Sequence, residues 1–281
     1  MATNFRSKLS VCVAPANPVF ITHALFDRLY KESLDSPIDE FLNRVAAINK
    51  LAPQPLNFDP FQGQLVLLGV IAAVESFIRT LLRKIISLDE ESQAAVNDKD
   101  VSFGAALHLS KDLLPEAILE RRSFISKKSI HEALRDLLAI KGAFPADLEK
   151  SIEDYVRVCQ LRHCAVHRFG KLGTSNAISL GFSEHKNLLE KPLKLDYVAL
   201  QNAIAIAIGI AKTLNNFLFN EILSRVPSND WSGVYSQDRS LFIRYYSLFC
   251  DKVSSNKTMQ ANQLYRLLVK QRALWVAGKQ F

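Results

Sequence analysis

Apolar residues recur at three- and four-residue spacings along most of the chain, the period of helices that bury one face. Between 65 and 88, Leu68, Ala72, Glu75, Arg79 and Leu82 keep that spacing while most other positions are also apolar, which predicts a long and largely buried helix. Residues 22–51 make an earlier amphipathic stretch, interrupted at Ser36-Pro37 and closed by Pro53 and Pro55, because proline disfavours helix at itself and at the residue before it. Shorter helices are expected over 103–109, extending toward Leu114 ahead of Pro115, and over 129–140, where Ser129 and Glu132 have the spacing of a reciprocal cap. Pro145, Asp147 and Glu149 open a helix from about 146 to 168 that Gly170 stops. Residues 177–182 read as a short strand or an extended loop, and helices over 195–223, 238–253 and 259–276 follow.

The pattern is that of an all-α protein: an up-down helical bundle with additional N- and C-terminal helices and at most one short strand or hairpin. It divides into an N-terminal helical arm (1–60), a central bundle (61–226) and C-terminal basic helices packed on it (227–281). The most apolar run, 203–211, is flanked by Gln201, Asn202, Lys212, Asn215 and Asn216, so it reads as a core helix and no membrane association is expected.

Composition changes this picture in two ways. Cys12, Cys159, Cys164 and Cys250 have neither metal-ligand nor disulfide spacing and no signal peptide is visible, which points to a reducing cytoplasm and to a protein without metal or other cofactor. The formal charge of +7 favours a polyanionic partner, and after Asp251 the charges are all basic: Lys252, Lys257, Arg266, Lys270, Arg272 and Lys279. With Tyr265 and Trp275 that segment can track a phosphate backbone; equally, it is a helix with a solvated basic face whose Leu264, Leu267, Leu268 and Leu274 enter the core.

The chemistry concentrates at the end of the 146–168 helix: Arg157, Arg162, His163, His167 and Arg168, followed by Lys171. Histidines four residues apart share a helix face, and the dipole at a helix C-terminus brings their titration near neutral pH. Arg162 offers a planar fork for two phosphate oxygens, able to hold an RNA backbone and to neutralise charge on a five-coordinate phosphorus. The plainer reading is a helix whose basic C-terminal end complements its own dipole. A zinc-peptidase pair lacks its glutamate, since Cys164 follows His163, and a Cys164/His167 nucleophile pair lacks a third partner.

The segment Arg162-His163-Cys164-Ala165-Val166-His167 resembles the signature of the HEPN superfamily, an Arg, a polar residue, three variable residues and a His at the end of a late helix; His163 stands where Asn is frequent. Ala73-Val-Glu75-Ser-Phe-Ile-Arg79 and Val101-Ser-Phe103-Gly104-Ala-Ala-Leu107 resemble the early and intermediate helices of defence-associated members. The resemblance covers about 65–223. It implies a metal-independent endoribonuclease in which two protomers pair to form one composite cleft. Arg162 would stabilise the phosphorane, His167 would be the acid/base group, His163 would assist, and Glu75 would orient Arg162 or His167. Arg157, Arg168, Lys171 and Arg79 would hold RNA, and the biology would be that of a toxin or an antiphage factor, with an antitoxin or other regulatory protein as a possible partner. An Arg157/His163 pairing also fits the looser spacing. For Glu75 the local alternative is an ion pair with Arg79, one turn on. The competing functions are a HEPN-like module that binds RNA, a nucleotide or a protein without cleavage, and a helical adaptor.

Overall fold

The computed structural model describes residues 11–254 and 259–276, and among these every regular element is helical. The chain divides into two units, Met1–Leu34 and Asp35–Phe281. In the first, residues 11–34 contain one 3-10 turn, Thr22–Leu25, and no buried residue. The helix of the expected arm therefore starts only after Ser36. Ser36 caps helix α1 (Pro37–Asn49) by accepting from Asp39 N, Pro37 occupies the first turn, and Phe41 and Val45 bury, so this helix belongs to the bundle.

The centre is α2 (Pro60–Leu88), capped by Asp59 and started by Pro60. Its Leu67, Val70, Ile71, Leu81, Leu82 and Ile85 are fully buried. Each such side chain contributes about 1.5–3 kcal/mol, which explains why 29 residues stay helical despite Gly63 and Gly69. Two short helices, α3 (Glu90–Val96) and α4 (Phe103–His108), follow. Pro115 does not end a helix as expected but lies in the first turn of α5 (Leu114–Leu119), a position where its missing N–H costs nothing. The cap of α6 (Lys127–Leu138) is Ser126 rather than Ser129; Ser129 sits three residues in and returns the bond.

Helix α7 (Ala146–His167) carries the Arg/His segment and packs on α2 and on α9 (Tyr197–Ser224). Between them residues 177–182, expected to be a short strand or an extended loop, lie within α8 (Thr174–His185), which is kinked at Gly181, where φ is +109°. Ala177 is fully buried and Asn176 donates to the Gln160 side chain (2.9 Å), so contact with α7 wins over the local preference of a short apolar run. The extended pairing that does occur among the described residues is one isolated bridge, Lys171 with Pro192.

Helices α2 and α9 are long and apolar enough to cross a membrane by length and composition; here they pack against each other in the main core. Helices α10 (Tyr235–Phe249) and α11 (Ala261–Val276) add a second cluster around Phe242 and Tyr265. Tyr265 is buried and bonded to Asp238, whereas Leu267, expected in the core, is exposed. Lys257 and Lys279 lie outside the described residues, as does the Trp275 side chain.

Candidate functional site

The end of α7 presents its polar groups to solvent while its other face is fixed in the core. Tyr155, Cys159 and Cys164 are buried, Arg162 is partly buried, and His163, Val166, His167, Arg168 and Phe169 are exposed. The imidazoles of His163 and His167 are in contact, tilted by 49° with ring centroids 4.6 Å apart. His163 titrates below the ordinary histidine range, chiefly because it is partly desolvated, with the charges of His167 and Arg162 adding to the effect.

Arg162 forms no ion pair or hydrogen bond among the described residues, although it is only partly exposed. Its neighbours along the α7 face are Tyr155 and Cys159, at seven and three residues' distance. Burial pushes the Tyr155 hydroxyl well up, with Cys159 and Glu75 adding to the rise and Arg162 opposing it. That hydroxyl is buried without a conventional hydrogen-bond partner. Burial also pushes the Cys159 thiol up to about 12, which makes it an inert neighbour and not a nucleophile. Cys164 is likewise raised by burial. Among the described residues no three His, Cys, Asp or Glu side chains converge as metal ligands.

The turn that follows is strained. Phe169 has φ +51°, a left-handed conformation that costs a non-glycine residue roughly 1–2 kcal/mol, and its ring is 100 % exposed. It is held there because Cys164 O accepts from both Arg168 N and Gly170 N, each at 3.1 Å, and because Leu193 N donates to Gly170 O at 2.7 Å. Gly170 sits at φ +81°, a conformation that strains any other residue, and a Cβ there would meet Gln64 Oε1 at 3.1 Å.

The structure sorts the expected site residues into two groups. Arg157, Arg162, His163, His167 and Lys171 are on or beside the end of α7 with no ion pair among the described residues. Arg168 is there too, but paired with Glu190 across the bridge. Glu75 and Arg79 are otherwise engaged. Glu75 accepts from Ser123 Oγ (3.2 Å) and Phe124 N (3.1 Å), holding the segment before α6, and makes no bond to Arg162 or His167. Arg79 donates to the carbonyls of Leu119 and Arg122, pairs with Glu116 at 3.5 Å and lies over the Phe124 ring. It closes the end of α5, a structural task that leaves its fork unavailable to RNA, and the expected Glu75–Arg79 pair is not formed.

Two residues escaped the sequence reading. Tyr155 looked like any core aromatic, and its unpaired hydroxyl became visible only with the fold. Phe169 preceded the helix-stopping Gly170, and that position is where a helix ends in the left-handed region. Elsewhere, a cavity of about 450 Å³ opens between α9 and α10, lined by Lys212, Asn215, Phe249 and Asp251 among others, and it contains none of the residues above.

Comparison with protein-family models, with curated proteins and with solved structures finds no match for this chain.

Proposed function

We propose that the protein is a metal-independent endoribonuclease that cleaves RNA by attack of a ribose 2′-hydroxyl on the adjacent phosphorus. The observation that carries this reading is the partly exposed Arg162 guanidinium, unpaired among the described residues, on the same helix end as two histidine rings in contact. Its planar fork is open to an anion, and a phosphodiester supplies two oxygens in that geometry.

In the reaction the 2′-oxygen forms a bond to phosphorus as its proton passes to a neutral imidazole, and the bond to the 5′-oxygen breaks as that oxygen takes a proton from an imidazolium. The products are a 2′,3′-cyclic phosphate and a 5′-hydroxyl. His167 is the acid/base group. His163, kept uncharged by its surroundings, assists at the other proton, and Arg162 neutralises charge building on the equatorial oxygens. Arg157 and Lys171 guide the backbone by charge.

The resemblance of Arg162 to His167 to the HEPN signature supports the same reading and adds a second protomer, so that two motifs share one cleft. Exposed apolar residues around the motif, Val166, Ile178 and Phe182, suit such pairing. The biological role that fits is a toxin or an antiphage factor restrained by a partner protein. Induced expression of the chain in a bacterial host tests this. Growth arrest that Arg162→Ala or His167→Ala relieves, at equal yield of folded protein, supports the reading; arrest unchanged by either substitution removes it.

A further inference from the structure

We infer that Phe169 is a stacking platform for an unpaired base of the RNA, next to the phosphate that Arg162 grips; the inference rests on the nuclease reading above and specifies its substrate as RNA unpaired at the cut.

Three observations converge on this side chain. Its ring is fully exposed and makes no contact with another aromatic ring or with a cation among the described residues. Its backbone is left-handed at φ +51°, a conformation usually left to glycine, and glycine does stand at the very next position. The turn is nevertheless held firmly, with Lys171 N donating to Arg168 O at 3.0 Å in addition to the bonds from Arg168, Gly170 and Leu193. An aromatic ring in water gains nothing from such presentation. It stabilises a complex when a flat partner covers it.

The charges around the ring say what that partner is. Arg162 and Lys171 lie seven residues before and two after Phe169 without ion pairs among the described residues, and Glu190 is taken by Arg168. A purely apolar cover would strand Arg162, His163 and His167 away from water, at a cost in desolvation. A single-stranded polyanion satisfies both classes of group at once, because every base has a π-face and every linkage a phosphate. In a duplex the faces are already stacked on their neighbours, so a paired region offers the cations a backbone and the ring nothing.

The test uses the full-length His167→Ala protein, which binds without cutting, and a single-stranded RNA oligonucleotide carrying 2-aminopurine. Binding is followed by anisotropy, stacking by quenching of the 2-aminopurine, and the mass of the particle in solution by light scattering. The expected result is quenching on binding that is lost in Phe169→Ala/His167→Ala, with affinity weakened about 5- to 150-fold, the range that a stacking contribution of ~1–3 kcal/mol converts to. Phe169→Trp retains both signals, and a fully paired duplex binds without quenching. If Phe169→Ala halves the mass of the particle in solution while Phe169→Leu restores it and RNA affinity, the ring is covered by a second copy and the proposal is overturned. If Phe169→Ala binds and quenches like its parent, the proposal alone falls. If the parent binds no RNA at any concentration, the nuclease reading falls with it.

Discussion

Arg225, the residue that closes α9, and Arg162, near the end of α7, are both of intermediate exposure, but their surroundings differ. The Arg225 guanidinium is 11 % exposed and fully occupied: it meets Asp89 and Ser92, bonds the last carbonyl of α6 at Leu138, and has Glu91 within 3.7 Å. It joins the end of α9 to the start of α3 and the end of α6, and every donor it brings into the interior has somewhere to go. Arg162 brings the same five donors and finds no acceptor for them among the described residues. Arg225 and Arg79 hold segments of the fold together, whereas the Arg162 fork is open to a ligand.

The comparison can be broken or sharpened by substitution. The largest effect is expected at the open site: His167→Ala should lower the rate of RNA cleavage by about 10²–10⁴-fold, and Arg162→Ala by about 10²–10³-fold. Neither should move the thermal midpoint appreciably, since neither side chain has a bonded partner to strand. Arg225→Ala should do the reverse. Removing it leaves Asp89 buried without its cation, at a cost of about 3–5 kcal/mol in denaturant unfolding, with unchanged activity per folded molecule.

A smaller effect separates the cations themselves. Lys171→Ala should reduce the salt slope of RNA binding by about one ion or somewhat less, whereas Arg79→Ala should leave that slope alone and lower stability by about 1.5–3 kcal/mol through its lost charged hydrogen bonds. Equal salt slopes for Lys171→Ala and the parent would remove Lys171 from the RNA path.

The smallest effect is in pH. His163 and His131 both titrate below their ordinary range, chiefly from desolvation. Their contribution is therefore complete above the unfolded value near 6.5 and declines as pH falls through the lower, folded values, because the unfolded chain takes up protons that the native one resists. Thermal midpoints between pH 7.5 and 5.5 should fall, and His131→Gln together with His163→Gln should flatten that fall.

Much of the fold was legible because periodicity and punctuation agreed. Apolar spacing marked the long helix from residue 65 onward, short of its start at Pro60; Pro145, Asp147 and Glu149 opened α7, and Gly170 closed it. Where local signals competed, contacts distant in sequence decided. The run from 177 to the kink at Gly181 is helical because Ala177 and Asn176 meet α7, and Pro115 starts a helix because Leu119 has a core to enter. The site divided along the same line. His163 and His167 share a helix face by arithmetic alone and Arg162 adjoins them in sequence, so their grouping needed no tertiary information. What Glu75 and Arg79 do depends on the segment around Leu119 to Phe124, about forty residues away along the chain, and no spacing rule reaches that far.

The central claim is that the open end of α7 cuts RNA. It is tested most directly by incubating the purified chain with end-labelled transfer RNA and messenger RNA in excess EDTA beside His167→Ala. The account predicts cleavage that persists in EDTA, leaves cyclic-phosphate ends and disappears in the variant. Intact RNA at every protein concentration, or cleavage that His167→Ala leaves undiminished, would contradict it.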